Sequence, residues 1–356
     1  MMRHFAANAL TFLIIALVLI FGLVVWGQNT FRGPGPLSEP LIVEVERGAG
    51  LSSVTEQLAE AGAIENATLF RVAARYTEMD GGLRFGEYEI PAGASMEEIL
   101  QLLNRGSNIV RQVIVPEGFT SWQVVELLKA RPELTGDIAA VPPEGSLAPA
   151  GYDFQRGDSR QSILDRMTVR QQEIVAEAWE GRAADLPLVS PEELLILASI
   201  IEKETGVAEE RGVVAGVFAN RLERGMRLQT DPTVIYGITL GEGTLGRGLR
   251  ASELATATPY NTYVIPGLPP TPIANPGREA IIAAANPDAT DYVYFVADGT
   301  GGHAFAEDLA QHNANVAQWR RIEAERAREQ LEAEAAAEEE AGQAEENNGS
   351  GDAAPQ

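Results

Sequence analysis

The chain of 356 residues has no cysteine and only three histidines, and its 27 lysines and arginines are outnumbered by 51 aspartates and glutamates. Without cysteine there is no disulfide, no thiol nucleophile and no lipid-modified cysteine. Only His303 and His312 lie beyond the first few residues. The helical His pair or His-rich cluster of a zinc hydrolase is therefore missing, so no metal and no cofactor are expected and a metal-dependent amidase is the weaker reading. A formal charge of −24 argues against a nucleic-acid partner, which needs a basic surface to neutralise phosphates. About a third of the acidic excess falls in residues 321–356, where Glu and Ala dominate and Asn, Gly, Ser and Pro finish the chain. That composition predicts a helix continuing from the folded part and fraying into solvated coil, with no chemistry of its own.

What the chain does have, at its start, is a long apolar run. Ala9 to Trp26 reads ALTFLIIALVLIFGLVVW without a charge, and at about 1.5 Å per residue it is long enough for a hydrocarbon layer of roughly 30 Å. No A-x-A site follows Gln28, so an uncleaved anchor over residues 9–27 is expected rather than a signal peptide. The stub of residues 1–8 is then expected to be cytoplasmic, and the bulk of the chain to lie outside the cytoplasm. Residues 28–39, with Gly33-Pro-Gly-Pro36, form a stiff linker.

Beyond the linker a pattern recurs. Val43-Glu-Val-Glu-Arg-Gly48, Tyr88-Glu-Ile-Pro-Ala-Gly93 and Val113-Ile-Val-Pro-Glu-Gly118 each give a short alternating strand closed by glycine. Each glycine is followed by a β-branched residue (Val54, Ile99, Val124) and then by a leucine four positions on (Leu58, Leu103, Leu128), one face of a helix. Ser95 with Glu98 and Thr120 with Gln123 are capping boxes that fix two helix starts. Such units are too small to fold alone, so the first two are expected to share a sheet with the segment from Ile64 to Tyr76 packed on it as a helix. This region, residues 40–106, resembles the LysM module that binds cell-wall glycan. A plain spacer holding the next domain above the membrane is the competing reading, since Tyr88 and Phe85 are the only candidate aromatic platform. The fold class is thus α+β: one transmembrane helix, a small LysM-like module, then a mixed α+β domain over 107–320.

The second domain carries the chemistry. Ser190-Pro-Glu-Glu-Leu-Leu-Ile-Leu-Ala-Ser-Ile-Ile-Glu-Lys-Glu-Thr205 reads as a helix with Ser190 as N-cap and Pro191 at its first position. Placed at about 100° per residue, Leu197, Ile200 and Ile201 surround Glu204, while Lys203 falls on a more polar side. Burial favours the uncharged carboxyl, so Glu204 can hold a proton near neutral pH and act as a general acid. Glu202 is the rival acid, on another face, where Lys203 or Arg221 could hold it in an ion pair.

Residues 159–180 read as an amphipathic helix, and a further helix is predicted from Ala208 to Glu223. After it, Met226 to Tyr236 reads as a polar loop bearing Gln229, Thr230, Asp231 and Tyr236. Thr258 to Pro270 reads as a second, with Tyr260, Asn261 and Tyr263 on a backbone stiffened by prolines. Aromatics interleaved with Asn, Gln and Thr suit a sugar. Asn275-Pro276 is expected to cap a helix reaching Ala285. Tyr292 to Val296 is expected as a strand that pairs back through His303-Ala-Phe305 as a hairpin. His303 either binds substrate or satisfies a turn.

Ala198-Ser-Ile-Ile-Glu-Lys-Glu-Thr205, Arg221-Leu, Arg227-Leu-Gln-Thr-Asp-Pro-Thr-Val-Ile-Tyr-Gly237, Tyr260-Asn-Thr-Tyr263, Gly267-Leu-Pro-Pro270 and Tyr294-Phe-Val-Ala-Asp-Gly299 together resemble the YceG-like endolytic murein transglycosylases. The resemblance runs from the anchor to about Trp319. It implies cleavage of the β-1,4 bond between N-acetylmuramic acid and N-acetylglucosamine within nascent peptidoglycan strands, leaving 1,6-anhydro ends and terminating strand elongation. It also implies Glu204 as the catalytic acid, with Gln229, Thr230, Asp231, Tyr236, Asn261, Tyr263 and His303 around the substrate. The expected partners are glycan strands, the membrane through a single span, and peptidoglycan synthases. One departure is Glu144-Gly-Ser-Leu-Ala-Pro149, where relatives have an aromatic-rich segment. Two other readings stay open: a hydrolytic muramidase with Asp231 as second carboxylate, and a non-catalytic scaffold for wall synthases, in which Glu204 would have no use.

Overall fold

The structure is a computed structural model that describes residues 2–349. It is mixed α+β, with helices dominant and three two-stranded antiparallel sheets among the described residues. In chain order the elements begin α1 (Met2–Arg32), β1 (Leu41–Val45), α2 (Leu51–Glu60), α3 (Ala67–Tyr76), β2 (Gly86–Ile90), α4 (Met96–Arg105), β3 (Arg111–Ile114), α5 (Ser121–Lys129), β4 (Gly151–Phe154) and α6 (Arg160–Glu180). They continue with α7 (Pro191–Glu204), a single 3-10 turn (Ala208–Glu210), α8 (Arg211–Glu223), α9 (Asp231–Thr239), α10 (Ala251–Ala255), α11 (Arg278–Ala285), β5 (Tyr294–Ala297), β6 (His303–Ala306) and α12 (Leu309–Gly349). Residues 350–356, where the end of the acidic tail was expected to fray, lie outside the described residues.

The chain forms two compact units. One comprises residues 1–114, 128–138 and 151–163, the other residues 115–127, 139–150 and 164–356. In the first, Leu10–Arg32 of α1 is the one helix among the described residues long and apolar enough to cross a membrane. Its end is tied down: Phe31 is buried, and Arg32 pairs with Glu97 at 3.4 Å. The first two repeats do share a sheet, with Val43 opposite Tyr88 and Val45 opposite Gly86. Their inward side chains build a core with Val54, Leu58, Phe70, Ile99 and Leu103. Tyr88 belongs to that core with its hydroxyl on the Arg84 carbonyl at 2.6 Å, so it cannot present a ring to a ligand. The third repeat departs from the first two: β3 pairs with β4 instead. The closing glycines all adopt positive φ (Gly48 85°, Gly93 69°, Gly118 72°), a region in which a β-carbon is strained. Both capping boxes form, Ser95 with Glu98 and Thr120 with Gln123.

The second unit is built around α7. Ser190 caps it through the Glu193 N–H and Pro191 opens it, as its sequence dictates. Leu194, Leu197, Ala198, Ile200 and Ile201 are fully buried against α8 and α11. Ser199, also buried, donates to Ile196 O at 2.7 Å and accepts the Ile273 N–H at 3.0 Å, which pins the irregular 271–275 segment to the middle of the helix.

Two sequence expectations need correction here. Met226 to Tyr236 is not a continuous loop. Asp231-Pro232 opens α9, because proline's fixed φ and missing N–H suit a first helical turn. Asn275 does not cap α11. Gly277 occupies that N-cap position, and Asn275 is wholly buried, its side chain accepting Leu147 N–H at 2.9 Å and donating to Phe119 O at 3.0 Å.

Candidate active site

Glu204 is the last residue of α7, with Thr205 as C-cap. That position has two consequences. The apolar face ending in Ile200 and Ile201 desolvates the carboxyl, and the negative end of the helix dipole disfavours its ionised form. The Glu204 carboxyl is accordingly held above the usual carboxylate range, first by burial. The Thr230 hydroxyl opposes the shift, Asp231's charge adds to it, and the positive charges of His303 and Arg221 oppose it. Thr230 Oγ1 donates directly to Glu204 Oε1. No other hydrogen bond reaches the Glu204 side chain among the described residues.

The Thr230 hydroxyl is aimed by a compact cluster. Thr230 N donates to Thr262 Oγ1 at 3.0 Å, Thr233 Oγ1 donates to Thr230 O at 2.7 Å, and the Thr233 and Thr262 hydroxyls lie 2.8 Å apart. All three threonines are buried. Gln229, next in line, takes a positive φ of 52°, a costly conformation for a residue other than glycine. Arg221 holds it there. This buried guanidinium donates to Val293 O at 2.6 Å, Leu228 O at 2.8 Å and Arg227 O at 3.0 Å, and reaches Gln229 Oε1 at 3.4 Å. Burial lowers Arg221's own pKa, but among the described residues no other donor reaches the carbonyls it satisfies.

Of the residues expected around a substrate, the fold brings Gln229, Thr230, Asp231 and Tyr263 to Glu204. Tyr263 donates to Asp231 Oδ1 at 2.6 Å, and burial together with that carboxylate raises the phenol's pKa. His303 is close enough for its charge to act on Glu204. Its ring is clamped: Nδ1 lies 2.7 Å from Glu210 Oε2, and its backbone N–H donates to Glu210 Oε1 at 2.9 Å. A β-carbon at Gly302 would lie 2.5 Å from Glu210 Oε1, so only glycine leaves room for the clamp.

Two of the expected residues face elsewhere. Asn261 is fully buried, and its amide is occupied by the carbonyls of Glu253, Leu254 and Thr256 at 2.7–3.2 Å, so it shapes its loop from within. Tyr236 donates to Glu144 Oε2 at 3.3 Å and packs against Tyr260 with ring centroids 5.0 Å apart. Glu144 also accepts the Ser121 N–H at 2.8 Å, and burial raises its pKa. The loop that lacks aromatics therefore still places a desolvated carboxyl, beneath the Tyr236 hydroxyl.

Glu202 is not held by Arg221, which lies on Glu204's side. It accepts the Gly277 N–H at 2.9 Å, at the start of α11. Glu210 is a member that the sequence did not single out, and Arg221 and Glu144 stood out there for other reasons than the brace and the Tyr236 contact they provide. Each acts across a gap in sequence that only the fold closes, 72 residues from Arg221 to Val293 and 93 from Glu210 to His303.

A model of the YceG-like family matches residues 43–318. The chain is 29% identical over 328 residues to the endolytic murein transglycosylase of Bacillus subtilis (strain 168), covering 83% of this chain and 89% of that protein. It is 28% identical over 324 residues to the endolytic murein transglycosylase of Streptococcus pneumoniae serotype 2 (strain D39), covering 78% of this chain but only 58% of that longer relative. A 2.6 Å crystal structure of a yceG-like protein from Listeria monocytogenes is 30% identical, covers 78% of this chain and 99% of that one, and superposes with a TM-score of 0.47. With its motifs in place and the family matched across most of its length, this chain belongs to the YceG-like family.

Proposed function

We propose that this protein is a membrane-anchored endolytic murein transglycosylase that cuts the β-1,4 bond between N-acetylmuramic acid and N-acetylglucosamine inside glycan strands and leaves 1,6-anhydro ends. The observation that carries this reading is the Glu204 carboxyl, desolvated at a helix C-terminus and touched by a single hydroxyl donor. A general acid must arrive protonated, and this environment keeps the proton on.

Glu204 gives its proton to the glycosidic oxygen as the bond to C1 breaks. The 2-acetamido carbonyl steadies the oxocarbenium-like centre, and the C6 hydroxyl oxygen of the same sugar closes on C1 while its proton returns to Glu204. No water is consumed and the carboxyl is regenerated. Because the nucleophile is tethered within the substrate, effective molarity supplies what a second carboxylate supplies in a hydrolase. As the carboxylate forms, the Thr230 hydroxyl stabilises it. Gln229, Asp231, Tyr263 and His303 hold the flanking sugars. The anchor α1 keeps the second unit near strands as they emerge at the inner membrane, on the periplasmic side, where peptidoglycan synthases are the expected partners.

Incubating the full chain in detergent with uncrosslinked glycan strands tests the reading by product mass. Fragments lighter by one water than hydrolysis products are expected, and Glu204→Gln should abolish them. Reducing ends would instead indicate a muramidase using Asp231, whose charge also reaches Glu204. Unchanged strands with the wild-type chain would point to a scaffold.

A further inference from the structure

A cavity of roughly 390 Å³ opens beside the site, between the end of α7, the length of α9 and the glycine-rich segment after it. Among hydroxyl and amide side chains, its lining has two features that select a ligand. Ile235, Leu245 and Ile273 supply apolar surface, and Lys203 supplies an ammonium. Lys203 Nζ donates to Gly118 O at 3.3 Å and makes no ion pair among the described residues, so donors remain for a ligand. Its methylenes rest on Gly118, where a β-carbon would lie 3.5 Å from Lys203 Cδ, so the side chain has a defined seat.

Of the neighbouring charges, Glu117 beside Gly118 is exposed to solvent and two others are already engaged. Arg247, the other cation of the lining, is held by both oxygens of Glu253 at 2.5 and 2.9 Å. Glu202, on which the charge of Lys203 acts, accepts the Gly277 N–H. Lys203 is thus a cation without an ion pair among the described residues, in a chain of net charge −24, facing branched aliphatic side chains. Such a cavity suits a ligand with free carboxylates and small aliphatic groups.

Resting on the murein reading above, we propose that this cavity binds the peptide stem of the muramyl residue being cut, with Lys203 anchoring a stem carboxylate and Ile235, Leu245 and Ile273 receiving alanyl methyl groups. Lys203 and Glu204 are consecutive, so their α-carbons lie only about 3.8 Å apart. Their side chains leave the helix on different faces, and the link to the site is Pro232 of the lining, which follows Asp231, whose charge reaches Glu204; a lactyl-linked stem running from a sugar at Glu204 past Pro232 enters the cavity. The enzyme would on this account distinguish stem-bearing strands from bare ones.

The test measures binding, using full-length Glu204→Gln, with fluorescently labelled uncrosslinked strands and the same strands stripped of stems by an amidase. The stem-bearing strand is expected to bind about tenfold more tightly, the worth of one charge-assisted contact. Adding Lys203→Met should bring that ratio close to one, and Lys203→Arg should preserve most of it. Equal binding of both strands, or a ratio that survives Lys203→Met, overturns the stem site. Should both strands bind equally while the wild-type chain still cuts them, only the stem site fails. Should neither strand be bound or cut, the murein reading itself fails and takes the stem site with it.

Discussion

Arg221 tests how the site is held together. Replacing it with methionine keeps a side chain of similar length but removes the donors to Val293 O, Leu228 O and Arg227 O. The residue is 7% exposed, so water cannot readily replace them, and each carbonyl left unsatisfied costs about 1–3 kcal/mol. Part of that is offset because the guanidinium no longer has to be desolvated, a cost visible in its lowered pKa. The net loss should be about 3 kcal/mol, at the low end for breaking a buried charged network. For a unit of this size that corresponds to a Tm fall of about 6–12 °C. Activity should suffer beyond stability, because the Gln229–Thr230 turn loses the brace that aims a hydroxyl at Glu204, and a misplaced acid costs about 10²-fold in kcat. Lysine should rescue little, since a point charge cannot reproduce the planar fork. Calorimetry and strand cleavage on the full chain check this. A variant with wild-type Tm and wild-type kcat would refute the bracing argument.

Glu204→Gln should lower kcat by about 10²–10⁴-fold yet raise stability at neutral and alkaline pH. The sign follows from linkage: the folded-state pKa of Glu204 is raised, so the native protein retains a proton that the unfolded chain releases. The stability contribution is complete below the ordinary carboxyl range and is lost as pH climbs through the raised value. Urea titrations of both proteins across pH check it. The alkaline limb of the cleavage rate should move to higher pH in Thr230→Val, which removes a donor to the carboxylate, and to lower pH in Asp231→Asn, which removes a repelling charge. Movement of both in one direction would contradict the electrostatic account. Asn275→Ala should destabilise by about 1–3 kcal/mol in urea denaturation, because it leaves the buried Leu147 N–H without an acceptor, while Phe119 O keeps the backbone N–H of residue 275. Tyr236→Phe should alter kcat less than Tyr263→Phe, because its hydroxyl is turned toward Glu144 rather than Asp231.

How much of this was legible in the sequence differs from element to element. α7 could be read almost residue by residue, because Ser190, Pro191 and an apolar stripe are local signals whose physics needs no partner. The repeats were legible for the same reason, down to both capping boxes. Local signals stop where pairing begins: β3 has the pattern of β1 and β2, and nothing in that pattern says that its partner is β4. Asp231-Pro232 was ambiguous because the same dipeptide serves a turn and a helix start, and tertiary contact decides. At the site, Glu204 could be found from one helix face. Asn261 could not be recognised as a brace, nor Glu210 as the clamp on His303, since each role depends on chain segments meeting in space. Polar residues in a proline-rich loop look alike in sequence whether their amides face inward or toward a ligand.

The account stands on Glu204 carrying its proton at neutral pH. Infrared difference spectra between the wild-type chain and Glu204→Gln, recorded at neutral pH without substrate, report that proton through the stretch of a neutral carboxyl. A band present in the wild type and absent from the variant is the predicted result. A carboxylate signature in its place, with no neutral carboxyl lost on substitution, would contradict it.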